Sequence, residues 1–223
     1  ETIDENSCRV TAYTGTSLTP VIPNTDAEGR AVTELGKGLF ANKTNITEVT
    51  IPDTVTVLGV TSQHGVGYGV NGYGVFVNCT ALTKINFNGQ IKTVGDYTFN
   101  SCTKLETNIW QYFTGLEYIG KGAFEKLNCL PSELVIPATV KSIDKYAFQT
   151  CTGIKKITFA GNQVTDILGS AFASISSLEE VTLPASMTSA GDCFKGGYAL
   201  KSLTLTRSKV TDGGITEISF GTT

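Results

Sequence analysis

The chain has 223 residues, 17% of them charged, and a formal net charge of -3, where an ordinary soluble domain is about 25% charged. That composition leaves no electrostatic footprint for nucleic acid or for an anionic membrane surface. Its apolar residues come in short runs that never approach the roughly 18 needed to cross a bilayer, so no direct membrane insertion is expected.

The chain opens at Glu1 without a charged-then-apolar leader, which suggests a mature or trimmed product and hints at secretion. Cys8 to Gly15 reads as a strand, and Val21-Ile22-Pro23 as a short strand stopped by proline. Residues around Asn24 to Gly29 loop out, and Val32, Leu35 and Phe40 then set a ladder in which apolar residues stand eight and five positions before a phenylalanine. Regular repetition begins at Ile46, with Val49, Ile51, Val55 and Leu58 in register, and breaks between about Thr61 and Gly74. The interval from Phe40 to Phe76 is 36 residues and from Phe76 to Phe99 is 23, so the interruption carries 13. The ladder continues through Phe99, Phe124, Phe148, Phe172 and Phe194 at intervals of 25, 24, 24 and 22.

Each interval opens on L-x-x-I-x-[IFL]: Leu82, Ile85 and Phe87; Ile154, Ile157 and Phe159; Leu178, Val181 and Leu183; Leu200, Leu203 and Leu205. Period-two alternation turns the last two of each triplet inward from a strand. Pro52, Pro137 and Pro184 follow directly and stop it. Gly36, Gly95 and Gly120, four before their phenylalanines, fit a turn where a side chain would clash or φ must be positive. Ser208 to Thr223 reads as an atypical terminal turn without the ladder phenylalanine. One such unit cannot bury its own apolar face, so stacked units are expected to place strands on one wall, phenylalanines on the other and aliphatics between. Cys79, Cys102 and Cys151 each follow a ladder phenylalanine by three, and Cys129 follows Phe124 by five. We read these four as one column of buried thiols acting as small hydrophobes, and leave Cys8 and Cys193 unassigned. No C-x-x-C pair supports a metal, and no metal or other cofactor is expected.

The unit L-x-x-I-x-I-P-x-x-V-x-x-I-x-x-x-A-F-x-x-C, clearest in Leu134 to Cys151, resembles the BspA-type, or Treponema pallidum type, leucine-rich repeat of bacterial surface proteins, over roughly residues 8 to 206. The resemblance implies a β-dominated α/β solenoid of about seven to eight turns, with a parallel sheet on the concave face and short turns or 3-10 and helical pieces on the convex face. We expect one solenoid domain over residues 1–223: a cap and first turn in 1–45, regular repeats in 46–206 with an insertion near 61–74, and a partial turn in 207–223. Departures are the insertion, the unit around Trp110 that lacks its Ile-Pro, and Met187 to Ala190, where the apolar steps slip by one. The resemblance further implies an extracellular or surface protein, outer-membrane-anchored or secreted, that adheres to an extracellular protein or glycan. A spacer without a ligand of its own is the alternative. A monomer is favoured.

No catalytic residue is assigned. His64 is the single histidine and sits in the insertion without a partner nearby in sequence, so no serine or cysteine triad is expected. Gly67 to Gly72 matches G-x-G-x-x-G but does not open a helix, so it is not a dinucleotide fingerprint. Two features are candidates for binding. Tyr68 and Tyr73 alternate with glycines in the insertion, a combination that adaptable recognition loops use, although a tolerated insertion reads the same way. The outward strand positions give two columns, among them Lys84 and Asn86, Lys156 and Thr158, and Glu180 and Thr182. Trp110 and Tyr112 fall on that face if Ile109 and Phe113 point inward, but counting back from Phe124 makes them core residues. The core placement is favoured because isolated aromatics in an apolar ladder usually pack.

Overall fold

Apolar residues that return once per repeat can leave water together only if successive repeats stack. The computed structural model, which describes residues 1–59, 73–165, 167–187 and 192–205, shows a β-solenoid of about eight turns. In chain order its strands are β1 (Ser7–Val10), β2 (Ala31–Leu35), β3 (Glu48–Ile51), β4 (Val57–Leu58), β5 (Lys84–Phe87), β6 (Thr93–Val94), β7 (Tyr118–Ile119), β8 (Glu133–Ile136), β9 (Ser142–Ile143), β10 (Lys156–Phe159), β11 (Glu180–Leu183) and β12 (Ser202–Leu205).

The triplet strands form the first wall, all parallel: β3 pairs with β5, and β8, β10, β11 and β12 pair in sequence. Their inward residues, such as Val49, Ile51, Leu134 and Ile136, are fully buried, and Pro52, Pro137 and Pro184 stand immediately after the strand ends. A second parallel wall runs β1-β2-β4-β6-β7-β9. Most of its strands are two residues long and contribute one inward aliphatic each, Leu58, Val94, Ile119 and Ile143. At the N-terminal end, Thr2 bridges antiparallel to Cys8, and the chain's amino group donates to the Arg9 carbonyl at 2.9 Å. Those first residues therefore cover the free edge of β1, which would otherwise be a template for pairing.

The third wall carries the phenylalanines, and here the expectation of helical pieces is corrected. Among the described residues the chain forms almost no helix; a 3-10 turn at Ile109–Tyr112 stands where a first-wall strand would be, not on the opposite side. The third wall instead consists of stacked turns whose backbone bonds run between turns rather than within them. Tyr97, Phe99 and Ser101 N–H groups donate to the carbonyls of Lys121, Ala123 and Glu125 at 2.7, 2.8 and 3.1 Å, and Gly122, Phe124 and Lys126 repeat this to Lys145, Ala147 and Gln149 at 2.9, 2.8 and 2.9 Å. Helical residues would spend those N–H groups inside their own turn. To point them at the next turn the backbone becomes left-handed on both sides of the phenylalanine: two before at Gly38, Tyr97, Gly122, Tyr146 and Ser170, and two after at Asn42, Asn78, Ser101, Lys126, Thr150, Ser174 and Gly196.

Inside this wall Phe40, Phe76, Phe99, Phe124, Phe148, Phe172 and Phe194 form one stack, with centroids 5.0 to 5.6 Å apart and ring planes within 5° to 16° of parallel. The separation exceeds ring thickness, so each ring is offset on the next, the arrangement aromatic quadrupoles favour. Of the two reasons entertained for the glycine four before the phenylalanine, Gly120 has close approach: a Cβ there would lie 2.6 Å from the Asp96 backbone nitrogen.

Two outcomes are expected from this wall. Phe148→Ala removes a fully buried ring from between Phe124 and Phe172 and should cost about 3 to 5 kcal/mol; an unchanged denaturant midpoint would refute the stack. Thr150, β-branched, has φ of 60° at a position that Asn42 and Asn78 fill in other turns. Because asparagine tolerates left-handed backbone far better, Thr150→Asn should stabilise by about 1 kcal/mol, read as a higher urea midpoint.

Candidate functional site

The outward face of the first wall is built by strand register. Glu133, Lys156, Glu180 and Ser202 stand side by side, and Val135 beside Thr158 and Thr182 beside Thr204 make the neighbouring column. In the N-terminal part Glu48 faces Lys84 and Thr50 faces Asn86. Lys156, Thr158, Glu180 and Thr182 are thus brought together, while Lys84 and Asn86 belong to the separate β3–β5 pair.

Two pairs of charges on this face are matched across turns. Lys84 Nζ lies 3.1 Å from Glu48, and Lys156 Nζ lies 3.3 Å from Glu180. Asn86 donates its side-chain amide to Glu48 and Thr50. The Asn86 bond, then Lys84, hold the Glu48 carboxyl below its ordinary range. The same pattern flanks the walls elsewhere: Lys141 pairs with Glu117, and Lys201 with Glu179 at 2.7 Å, each lysine holding its carboxylate ionised. Such carboxylates do not serve as proton donors near neutrality. What the face offers a partner is the threonine column and Val135, which is 46% exposed.

Of the remaining candidates, Tyr68 lies outside the described residues, as do His64 and the glycine run from Gly67 to Gly72. Tyr73 is exposed on the third wall rather than on a strand face, with Lys37 Nζ 4.6 Å from its ring centroid. Trp110 lies inside: it packs edge-on to Phe113, Phe124 and Phe148 at 5.6 to 5.8 Å, and its indole N–H donates to the Val135 carbonyl at 3.0 Å. Because the 3-10 turn replaces a strand, that indole supplies the edge of β8 with a donor the missing neighbour does not give. Asn108 caps the turn by accepting the Trp110 N–H at 3.1 Å. Tyr112 is half-buried against Phe87 at 5.3 Å. Sequence reading missed Tyr97 and Tyr146, although both stand two residues before a ladder phenylalanine, an offset the sequence displays.

The thiols hold further surprises. Cys79, Cys102 and Cys151 are buried and unbridged, and their S–H groups donate to the carbonyls of Phe40, Phe76 and Phe124 in the preceding turn at 3.0, 3.1 and 3.0 Å. They are hydrogen-bond donors as well as small hydrophobes. Leu127 holds the equivalent position in the next turn, so Cys129 is off that column and partly exposed. Burial pushes Cys79 and Cys151 up to about 12, Cys129 up to about 11, and Cys102 well above its ordinary value. Cys8, on β1, and Cys193 are buried and shifted upward by the same cause. Among the described residues, no group of three His, Cys, Asp or Glu side chains is placed to hold a metal ion, and no helix is long and apolar enough to cross a membrane.

With this geometry established, comparison with known proteins is specific about kinship. A family model described as the BspA type leucine rich repeat region matches residues 13–63, 70–132 and 117–220, in 6 copies. Among solved structures, the chain is similar to a leucine-rich repeat protein of T. pallidum, with TM-score 0.53 and 20% identity over 91% of this chain and 76% of that one. It is also similar to a leucine-rich repeat protein from Bacteroides ovatus, with TM-score 0.51 and 28% identity over 83% of this chain. The match spans only 39% of that protein's length. A leucine rich cell surface protein from Faecalibacterium prausnitzii aligns over 92% of each chain at TM-score 0.37 and 16% identity. No curated protein sequence matches the chain.

The thiols generate a pH prediction. Their folded-state pKa values lie above the unfolded value near 9.0, so the stabilisation is complete below that pH and is lost as pH rises toward the folded values. Urea midpoints should hold to about pH 9 and fall between about 9 and 12, and the fall should be shallower in Cys151→Ala. Equal slopes for parent and variant would show that Cys151 does not contribute.

Proposed function

Since the chain belongs to the BspA-type leucine-rich repeat family, a family of protein-interaction modules, we propose that it is a non-enzymatic recognition module, displayed on a cell or released from it, that adheres to an extracellular protein or surface glycan through the outward face of its first wall. The observation that carries this reading is the in-register face itself. Lys156, Thr158, Glu180 and Thr182 stand on paired strands, the two charges already matched to each other, so beside that ion pair a partner meets the short, β-branched threonines. Such side chains lose little rotamer freedom on contact, which favours broad protein or glycan surfaces over a small molecule in a deep cleft. The chemistry elsewhere supports a non-catalytic role. The buried thiols are held protonated, and the wall carboxylates Glu48, Glu117 and Glu179 are held ionised by their neighbours.

A surface plasmon resonance screen against extracellular-matrix proteins, together with a glycan array, tests the proposal. At least one ligand should bind the parent and bind a Thr158→Lys, Thr182→Lys double variant about tenfold more weakly or worse. A variant lacking residues 62–71 separates the contribution of the tyrosine-glycine insertion. Absence of binding by the parent would favour a spacer that holds another domain away from the surface.

A further inference from the structure

In five of the turns the backbone two residues before the core phenylalanine is left-handed, and Gly38 and Gly122 take that position without strain. Tyr97 and Tyr146 take it with φ of 54° and 63°, a conformation that bulky L-residues avoid. Residues kept against a backbone preference mark places where something besides stability has decided the side chain.

The two tyrosines flank one ammonium. Lys121 Nζ lies 5.7 Å from the Tyr97 ring centroid and 6.0 Å from that of Tyr146. Gly122 lies between them, and a Cβ there would sit 2.7 Å from the Tyr97 ring, so that ring lies against bare backbone. Contact with the Tyr97 hydroxyl pushes the Lys121 pKa up despite partial burial, and its charge persists across the physiological range. Lys84, Lys141, Lys156 and Lys201 each meet a carboxylate of a neighbouring turn. Lys121 forms no such close pair among the described residues: the Asp144 charge acts on it from a distance, and two rings frame it. Tyr146 is 36% exposed, and Lys37 against Tyr73 repeats the lysine–tyrosine pairing earlier along the same wall.

An ammonium that makes no close ion pair, bracketed by two tyrosine rings, suits a ligand that offers a ring face and an anion at once. We propose that Tyr97, Lys121 and Tyr146 form a site on the turn wall for an acidic saccharide, the rings taking sugar faces and Lys121 the carboxylate. This rests on the recognition reading but places contact on a different wall from the strand face.

Calorimetric titration with a hyaluronan hexasaccharide and with sialyllactose, each beside its neutral counterpart, tests the site. The parent should prefer the acidic forms, and Lys121→Gln and Tyr146→Gly should each weaken binding about tenfold. The thermal midpoint of Tyr146→Gly should equal or exceed that of the parent, because glycine relieves the left-handed backbone, so its lost binding is not lost folding. The Thr158→Lys, Thr182→Lys variant should bind these saccharides like the parent. Equal affinity for acidic and neutral forms, no saccharide binding by the parent, or undiminished binding by Lys121→Gln would overturn the site. Loss confined to the strand-face variant would overturn it while sustaining the recognition reading. Binding of an acidic protein but no saccharide, lost in Lys121→Gln, would replace the saccharide with an acidic peptide.

Discussion

Each turn of this molecule has backbone polar groups that it cannot satisfy by itself, and nearly everything else follows from that. A helix closes its own hydrogen bonds; these turns donate to a neighbouring turn on all three walls, back from Lys156 to Ser132 on the first and from Gly120 to Val94 on the second, and forward from Phe99 to Ala123 on the third. Buried N–H and C=O groups must be paired, so the turns must be stacked one backbone hydrogen bond apart. That spacing then brings the phenylalanine rings within 5.0 to 5.6 Å of one another. It also sets lysine opposite glutamate and delivers each column cysteine to the carbonyl of the phenylalanine before it. The apolar core is a consequence of this pitch as much as a cause of it.

How much of this was legible in the sequence varied by wall. The first wall was plain, because four-residue strands alternate long enough for Val49 and Ile51 or Leu134 and Ile136 to announce an inward face. The second was not, because two-residue strands show one inward aliphatic and no alternation; Leu58, Val94, Ile119 and Ile143 read only as filling. The third wall displayed its phenylalanines and hid its backbone. Its left-handed positions are occupied by Asn42, Ser101, Lys126, Thr150 and Tyr146, which share no side-chain type, so no composition signal marked them and a helical expectation went unopposed.

The candidate residues divide along the same line. Lys156, Thr158, Glu180 and Thr182 sit on strands, and periodicity placed them side by side. Trp110 could not be placed by periodicity, since two counting frames gave opposite answers. Its position follows from a need invisible in sequence, the Val135 carbonyl at an edge of β8 whose neighbouring strand is missing. Tyr97 and Tyr146 were overlooked because their significance lies in φ and in what stands between them, Lys121 and Gly122.

The replacement of one strand by the Ile109–Tyr112 turn has a mechanical consequence. The first wall is two sheets, β3–β5 and β8–β10–β11–β12, bridged at that level by the Trp110 indole and by single backbone bonds from Ile91 to Tyr112 and from Glu106 to Thr83 rather than by a strand ladder. In a linear array, stability is a sum of local contributions and interfaces between neighbours, and the weakest interface sets where cooperativity divides. Here the second and third walls run through the junction while the first does not. The first wall is thus interrupted where the phenylalanine stack is not, and Trp110 is the rivet that ties β8 to the level where the strand is missing.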